Sequence, residues 1–191
     1  MNYIKKIASV LILTSSLVTA GYATTQGAYV GGALGYGKLD NFGDTTGGDG
    51  GVAGRILVGY NFNKFFGLEG GYNRYAKTTF TLSNGNTADY DVTAGTLAIK
   101  GYLPVNNQVD FYGLLGMATV QAQTTSDDMY FGAGTRSEFG VMAGVGINYD
   151  ITSKVSTNLE FSRTQGHTST YSQAGIPFAN LLSLGVAYHF N

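Results

Sequence analysis

Residues 136–150 read RSEFGVMAGVGINYD. Phe139, Val141, Ala143, Val145, Ile147 and Tyr149 alternate with Glu138, Gly140, Met142, Gly144, Gly146 and Asn148. Successive side chains of an extended strand point to opposite faces. The stretch therefore makes a strand with one unbroken apolar face and one face dominated by small and polar residues. A strand of this length can cross a bilayer at a tilt, which takes about 9–11 residues.

Six further segments carry the same two-residue period. In Ala28–Lys38, Val30, Leu34 and Tyr36 lie opposite Gly31, Ala33 and Gly35. In Gly51–Phe62, Val52, Ile56, Val58, Tyr60 and Phe62 lie opposite Ala53, Arg55, Leu57, Gly59 and Asn61. Phe65–Ala76 sets Phe66, Leu68 and Tyr72 against Glu69, Gly71 and Asn73, and Asp89–Leu103 sets Leu97, Ile99 and Leu103 against Thr96, Ala98 and Lys100. Lys154–Arg163 sets Val155, Leu159 and Phe161 against Ser156, Asn158, Glu160 and Ser162. Ala179–Asn191 sets Leu182, Leu184, Val186, Tyr188 and Phe190 against Ser183, Gly185, Ala187 and His189. An eighth segment, Val109–Gln123, is apolar on both faces, and the pattern does not assign its facing.

Composition says which solvent the apolar faces meet. Only 12% of the 191 residues are charged, against about 25% in soluble domains. Beyond the N-terminus there is no apolar run near the roughly 20 residues that a helical span needs. A closed β-barrel is the other structure that satisfies every backbone hydrogen bond in lipid. The expected fold is all-β: an eight-stranded antiparallel up-and-down transmembrane barrel. The aromatic residues Tyr36, Tyr60, Phe62, Phe65, Tyr102, Tyr149, Tyr188 and Phe190 recur at segment ends, where girdles meet the membrane interfaces.

The connections alternate in length. Asn61–Lys64, Pro104–Gln108 and Asp150–Ser153 are short, whereas Leu39–Gly50, Lys77–Ala88, Thr124–Thr135 and Thr164–Phe178 are long. Outer-membrane barrels have short periplasmic turns and long extracellular loops. The pattern predicts four surface loops and both termini in the periplasm.

The first residues read as an export signal: Lys5 and Lys6, an apolar run Ile7–Val18, then the small residues Ala20, Gly21 and Ala23. Cleavage is expected after Ala23, with Ala20 as the alternative. The organisation expected is thus residues 1–23 as signal peptide and 24–191 as the barrel domain. The mature part would hold 168 residues with a formal charge of −3.

Arg55, Glu69, Lys100, Glu138 and Glu160 fall on the faces read as inward. An eight-stranded barrel is just wide enough for side chains to fill it, and buried charges must pair. A structural lumen network is favoured over a plug that sets conductance. Loop residues with chemical potential are His167, the acids Asp40, Asp44, Asp49, Asp127 and Asp128, and the apolar group Tyr130, Phe131, Tyr171, Ile176 and Phe178. A lone loop His without a supporting motif is no catalytic site, and the acids lack the bidentate Glu of an EF-hand. With no Cys and two His, no metal site, cofactor or enzymatic activity is expected. The formal charge of −1 gives no reason to expect nucleic acid.

The runs RILVGYNFNKFFGLEGGYNRYAK (55–77), LAIKGYLPVNNQVDFYGLLGM (97–117) and GVGINYDITSKVSTNLEFS (144–162) resemble the barrel domain of the OmpA family and its small relatives of the OmpX and opacity type. The resemblance covers nearly all of residues 24–191. It implies a Gram-negative outer-membrane location and contact with outer-membrane lipids, lipopolysaccharide and the barrel-assembly machinery. It also implies that Glu69 and Lys100 are lumen ion-pair partners. Asn148 and Asn158 stand where OmpA carries Glu and Arg, so an OmpA-like gating switch is not implied. Nor is the wall-tethering role of a C-terminal peptidoglycan-binding domain expected. Tyr188 and Phe190 match the aromatic C-terminal assembly signal, although Asn191 follows.

The functional expectation is an envelope-integrity barrel whose loops are candidates for adhesion to a host or envelope partner. The alternatives are a narrow porin-like channel and a soluble, secreted lipocalin-like barrel. The last requires a polar outside and an apolar inside.

Overall fold

The computed structural model describes residues 24–40, 50–81, 87–126, 134–166 and 178–190. The strands are β1 (Gly27–Asp40), β2 (Gly51–Asn61), β3 (Phe66–Arg74), β4 (Thr78–Thr81), β5 (Thr87–Pro104), β6 (Val109–Ser126), β7 (Gly134–Asp150), β8 (Val155–Gly166) and β9 (Phe178–Phe190). Each pairs antiparallel with its sequence neighbour except that β3 and β4 both pair with β5, and β1 pairs with β9. The last pairing closes the sheet and leaves no free edge in the wall.

The extra strand is a bulge. Between Arg74↔Thr93 and Thr78↔Tyr90, three residues on one side oppose two on the other. One inserted residue breaks the alternation. Tyr75 and Ala76 are consecutive yet both buried. So β3 and β4 form one bulged strand, and the barrel has eight strands as expected.

Its shear follows from the register. The paired residues Tyr29, Gly59, Glu69, Ala98, Gly116, Met142, Thr164 and Ala179 run once round the wall and return to β1 at Leu39. That is ten residues beyond the start. Strand number and shear together set the tilt, in the usual range of roughly 35–45°.

The expected faces hold in the seven assigned segments. Val52, Leu34, Ile56, Ile99, Val145 and Leu184 are all more than 60% exposed, while Ala33, Ala53, Ala98, Met142 and Ala187 are buried. In β6 the unassigned facing is resolved: Phe111, Leu115 and Met117 point out, and Tyr112, Leu114, Ala118, Val120 and Ala122 point in. Both faces read as apolar because the lumen beside this strand is itself largely apolar. Tyr102 departs from expectation. It is buried in the lumen rather than part of a girdle, as its even spacing from Lys100 requires.

The three short turns share one design. Phe62 N and Asn63 N donate to Phe66 O, Val105 N and Asn106 N to Val109 O, and Ile151 N and Thr152 N to Val155 O. The second residue of each turn then accepts two backbone N–H groups through its side chain: Asn63 Oδ1 from Phe65 and Phe66, Asn106 Oδ1 from Gln108 and Val109, Thr152 Oγ1 from Lys154 and Val155. This is Asx and Ser/Thr turn chemistry. At the other end of the barrel, β5 and β6 run 18 residues each. At about 3.3 Å per residue and a tilt of about 40° they rise roughly 45 Å, well beyond a hydrocarbon core of about 30 Å. The segments expected as loops Lys77–Ala88 and Thr124–Thr135 are therefore partly strand.

Candidate functional site

Among the described residues, the lumen gathers four buried ionised side chains. Arg55 on β2 stands at its centre. Its Nη2 donates to Glu69 Oε1 at 2.5 Å, and its Nη1 donates to Glu160 Oε1. Lys100 Nζ on β5 reaches Glu69 Oε2 at 3.0 Å. Two tyrosines complete the carboxylates: Tyr29 OH donates to Glu69 Oε2 at 2.8 Å and Tyr112 OH to Glu160 Oε2 at 3.1 Å. Lys100 Nζ also lies 4.0 Å from the centre of the Tyr112 ring. Two cations thus face two carboxylates, all four less than 10% exposed. The cluster is neutral, which is the condition for holding charge in a low-dielectric interior.

Glycine makes room for the tyrosines. Gly59 stands directly across from Tyr29, and Gly146 from Tyr112. A Cβ at either glycine would clash with the facing ring, against Tyr29 Cζ or Tyr112 Cζ. Large polar rings can cross the lumen only because these positions carry no side chain.

Of the residues singled out by sequence, Arg55, Glu69, Lys100 and Glu160 come together. Glu138 faces inward nearer the loop end and makes none of the bonds described above. Asn148 and Asn158 pair across β7 and β8 near the turn end, where Asn148 Nδ2 donates to Asp150 Oδ1 at 2.9 Å. Tyr188 and Phe190 sit on the outer face of β9, with ring centres 5.2 Å apart. Phe178 opens β9 beneath the Arg163 guanidinium, 4.1 Å from its ring centre. Asp40 ends β1. The signal segment 1–23 lies outside the described residues, as do Asp44, Asp49, Asp127, Asp128, Tyr130, Phe131, His167, Tyr171, Ile176 and Asn191.

Sequence reasoning missed two sets of lumen residues. Tyr29 and Tyr102 were legible by parity with Ala33 and Lys100 in their own strands, whereas Tyr112 lies in the segment whose facing the pattern does not assign. The second set lies at the turn-end mouth: Asp110, Asp150 and the pair Ser156 Oγ–His189 Nε2 at 3.0 Å. Above the charged cluster, Leu39, Ala53, Tyr75, Val92, Ala94, Val120, Ala122 and Leu181 form an apolar core. Tyr75 OH, within it, donates to Thr164 Oγ1 at 2.9 Å.

The family's profile for the outer membrane protein beta-barrel domain matches residues 7–190. The chain belongs to this family of outer-membrane β-barrels. It is 28% identical over 188 residues to outer membrane protein A of Escherichia coli O157:H7, covering 92% of this chain and 53% of that one. The chain thus spans about half the length of the curated relatives first matched. Among solved structures, Neisserial surface protein A superposes with a TM-score of 0.67 at 18% identity, covering 85% of this chain and 97% of that one. Ail, the attachment invasion locus protein of Yersinia pestis, superposes with a TM-score of 0.54 at 19% identity, covering 86% and 97%, in a complex with the heparin analogue sucrose octasulfate. This is an outer-membrane protein of the OmpA-like type. The outward apolar face fits that location and is the inverse of what a soluble lipocalin-like barrel requires.

Proposed function

We propose that the protein is a non-enzymatic structural barrel of the outer membrane, contributing to envelope integrity and displaying its long loops for contact with a surface partner. The observation that carries this reading is the filled lumen. A neutral charge cluster occupies its middle and an apolar core its loop end. Near the turn end the cavity beside Tyr29, Glu69 and Lys100 measures about 10 Å³, room for roughly one water. Such an interior serves the wall rather than transport.

The apolar belt would lie against outer-membrane lipids and lipopolysaccharide. The outward Tyr188–Phe190 pair would be offered to the assembly machinery. Ail, of the same fold, binds a sulfated sugar and carries attachment in its name, which supports loop display as the second half of the role. No cofactor or nucleic-acid partner enters the proposal.

Single-channel recording of refolded protein is expected to show no steady discrete openings, and regular conductance steps would replace this reading with a narrow channel. A strain lacking the protein is expected to become more sensitive to detergent. Deleting residues within 41–49 or 167–177 should reduce surface attachment while leaving the barrel heat-modifiable on a denaturing gel; unchanged attachment would remove the display role.

A further inference from the structure

The turn-end mouth holds two carboxylates, Asp110 on β6 and Asp150 on β7. The described ion pairs lie elsewhere, in the central cluster or at the loop-end rim. Asp110 is 0% exposed, and its Oδ1 has no hydrogen-bond partner. Asn148, directly opposite Asp110, gives its Nδ2 to Asp150. Lys100, a lumen cation, is held by Glu69.

The chain ahead of β1 runs across this mouth. Thr24 is 7% exposed, and its Oγ1 donates to Asp110 Oδ2 at 3.0 Å. Thr25 O accepts from Asn61 Nδ2 at 2.8 Å, and Thr25 Oγ1 reaches Ser153 O at 3.4 Å. The segment is therefore fastened to β2, to β6 and to the β7–β8 turn. The anchoring includes the residue that directly follows Ala23.

We infer that Ala23–Thr24 is the processing site, and that the Thr24 α-ammonium so released is the missing cation of the Asp110 carboxylate at the turn-end mouth. Hydrolysis of this peptide bond by a signal peptidase takes up one water, leaves a carboxylate on Ala23 and places the new amine on Thr24. The α-nitrogen is three bonds from the hydroxyl that already touches Asp110. The new charge thus appears within a few ångströms of a buried carboxylate with a free oxygen, where a charge-assisted hydrogen bond is strong. Cleavage after Ala20 would leave Gly21-Tyr22-Ala23 ahead of Thr24 and carry the ammonium away from Asp110. The inference rests on export to the outer membrane but not on the role of the loops or lumen there.

The full chain, expressed in a Gram-negative host and purified from its outer membrane, is expected to show an intact mass beginning at Thr24. A mass beginning at Gly21, or one retaining the signal, overturns the inference. Residues 24–191 and 21–191, refolded in the same detergent, are then compared in thermal unfolding. The longer form is expected to unfold several degrees lower, and the gap should close when both carry Asp110→Asn. Equal midpoints in the parent pair, or a gap that survives Asp110→Asn, overturn the charge assignment. An independent readout needs no variant: the α-amine of Thr24 should react more slowly with an amine reagent in the folded barrel than in urea-unfolded chain across its titration range. Equal rates would show an unpaired amine.

Discussion

In the middle of the lumen Arg55 and Lys100 face Glu69 and Glu160, whereas toward the loop end Leu39, Val92, Val120 and Leu181 face one another. Both regions sit inside one closed wall of shear ten, and both fill it, by opposite means. The charged region is specific. Each oxygen of Glu69 and Glu160 has a named donor, so removing one partner leaves the others buried and uncompensated. The apolar region is tolerant, because its contacts are non-directional and its cost is that of lost volume. The comparison teaches that a membrane barrel does not need a polar interior along its whole height. It needs a full one.

The largest break in this contrast is expected from Arg55→Ala. Two carboxylates would remain together without their shared guanidinium, a loss of about 3–5 kcal/mol. A urea titration of the refolded barrel should show a clearly lowered midpoint, and a midpoint matching the parent would mean that the cluster is not holding the wall. Leu181→Ala, in the apolar region, is expected to cost about 2–4 kcal/mol through its cavity. It should show the same cost at low and high salt, and a strong salt dependence would count against a purely apolar contact.

Lys100→Ala should cost about 2 kcal/mol, because Glu69 loses one charged donor but keeps Arg55 and Tyr29. An unchanged unfolding midpoint would show that this ion pair is dispensable. Tyr75→Phe removes the single hydrogen bond to Thr164 in an otherwise apolar setting, for about 1 kcal/mol. The smallest effect belongs to Arg74→Ala. Its pair with Asp91 at 2.8 Å lies at the rim with the arginine side chain 67% exposed, and such a pair contributes about 0–1 kcal/mol. A rim loss as large as that of Arg55 would show that exposure does not grade these charges.

Much of the wall was legible in the residues. Strict alternation in 136–150 placed Val145 outside and Met142 inside, because a strand has only two faces and lipid rejects the polar one. The same parity put Arg55, Glu69, Lys100 and Glu160 inward before any partner was known. Legibility failed where parity met another rule. Tyr102 was read as interfacial by its chemistry although its position made it a lumen residue. In 109–123 both faces are apolar, because the lumen and the bilayer present Leu114 and Leu115 with similar surroundings.

By itself, then, the sequence determined the strand count, the alternation of short and long connections and the inward set of charged residues. Each depends on local spacing or on the composition of one segment. The tertiary structure decided the rest: that Arg55 bridges Glu69 and Glu160 from different strands, that Ala76 is buried beside Tyr75 at a one-residue bulge, and that Thr24 meets Asp110 across the mouth. Those contacts depend on register and closure. Register is a property of pairs of strands, and closure of all eight together, so neither is written in the periodicity of any one segment.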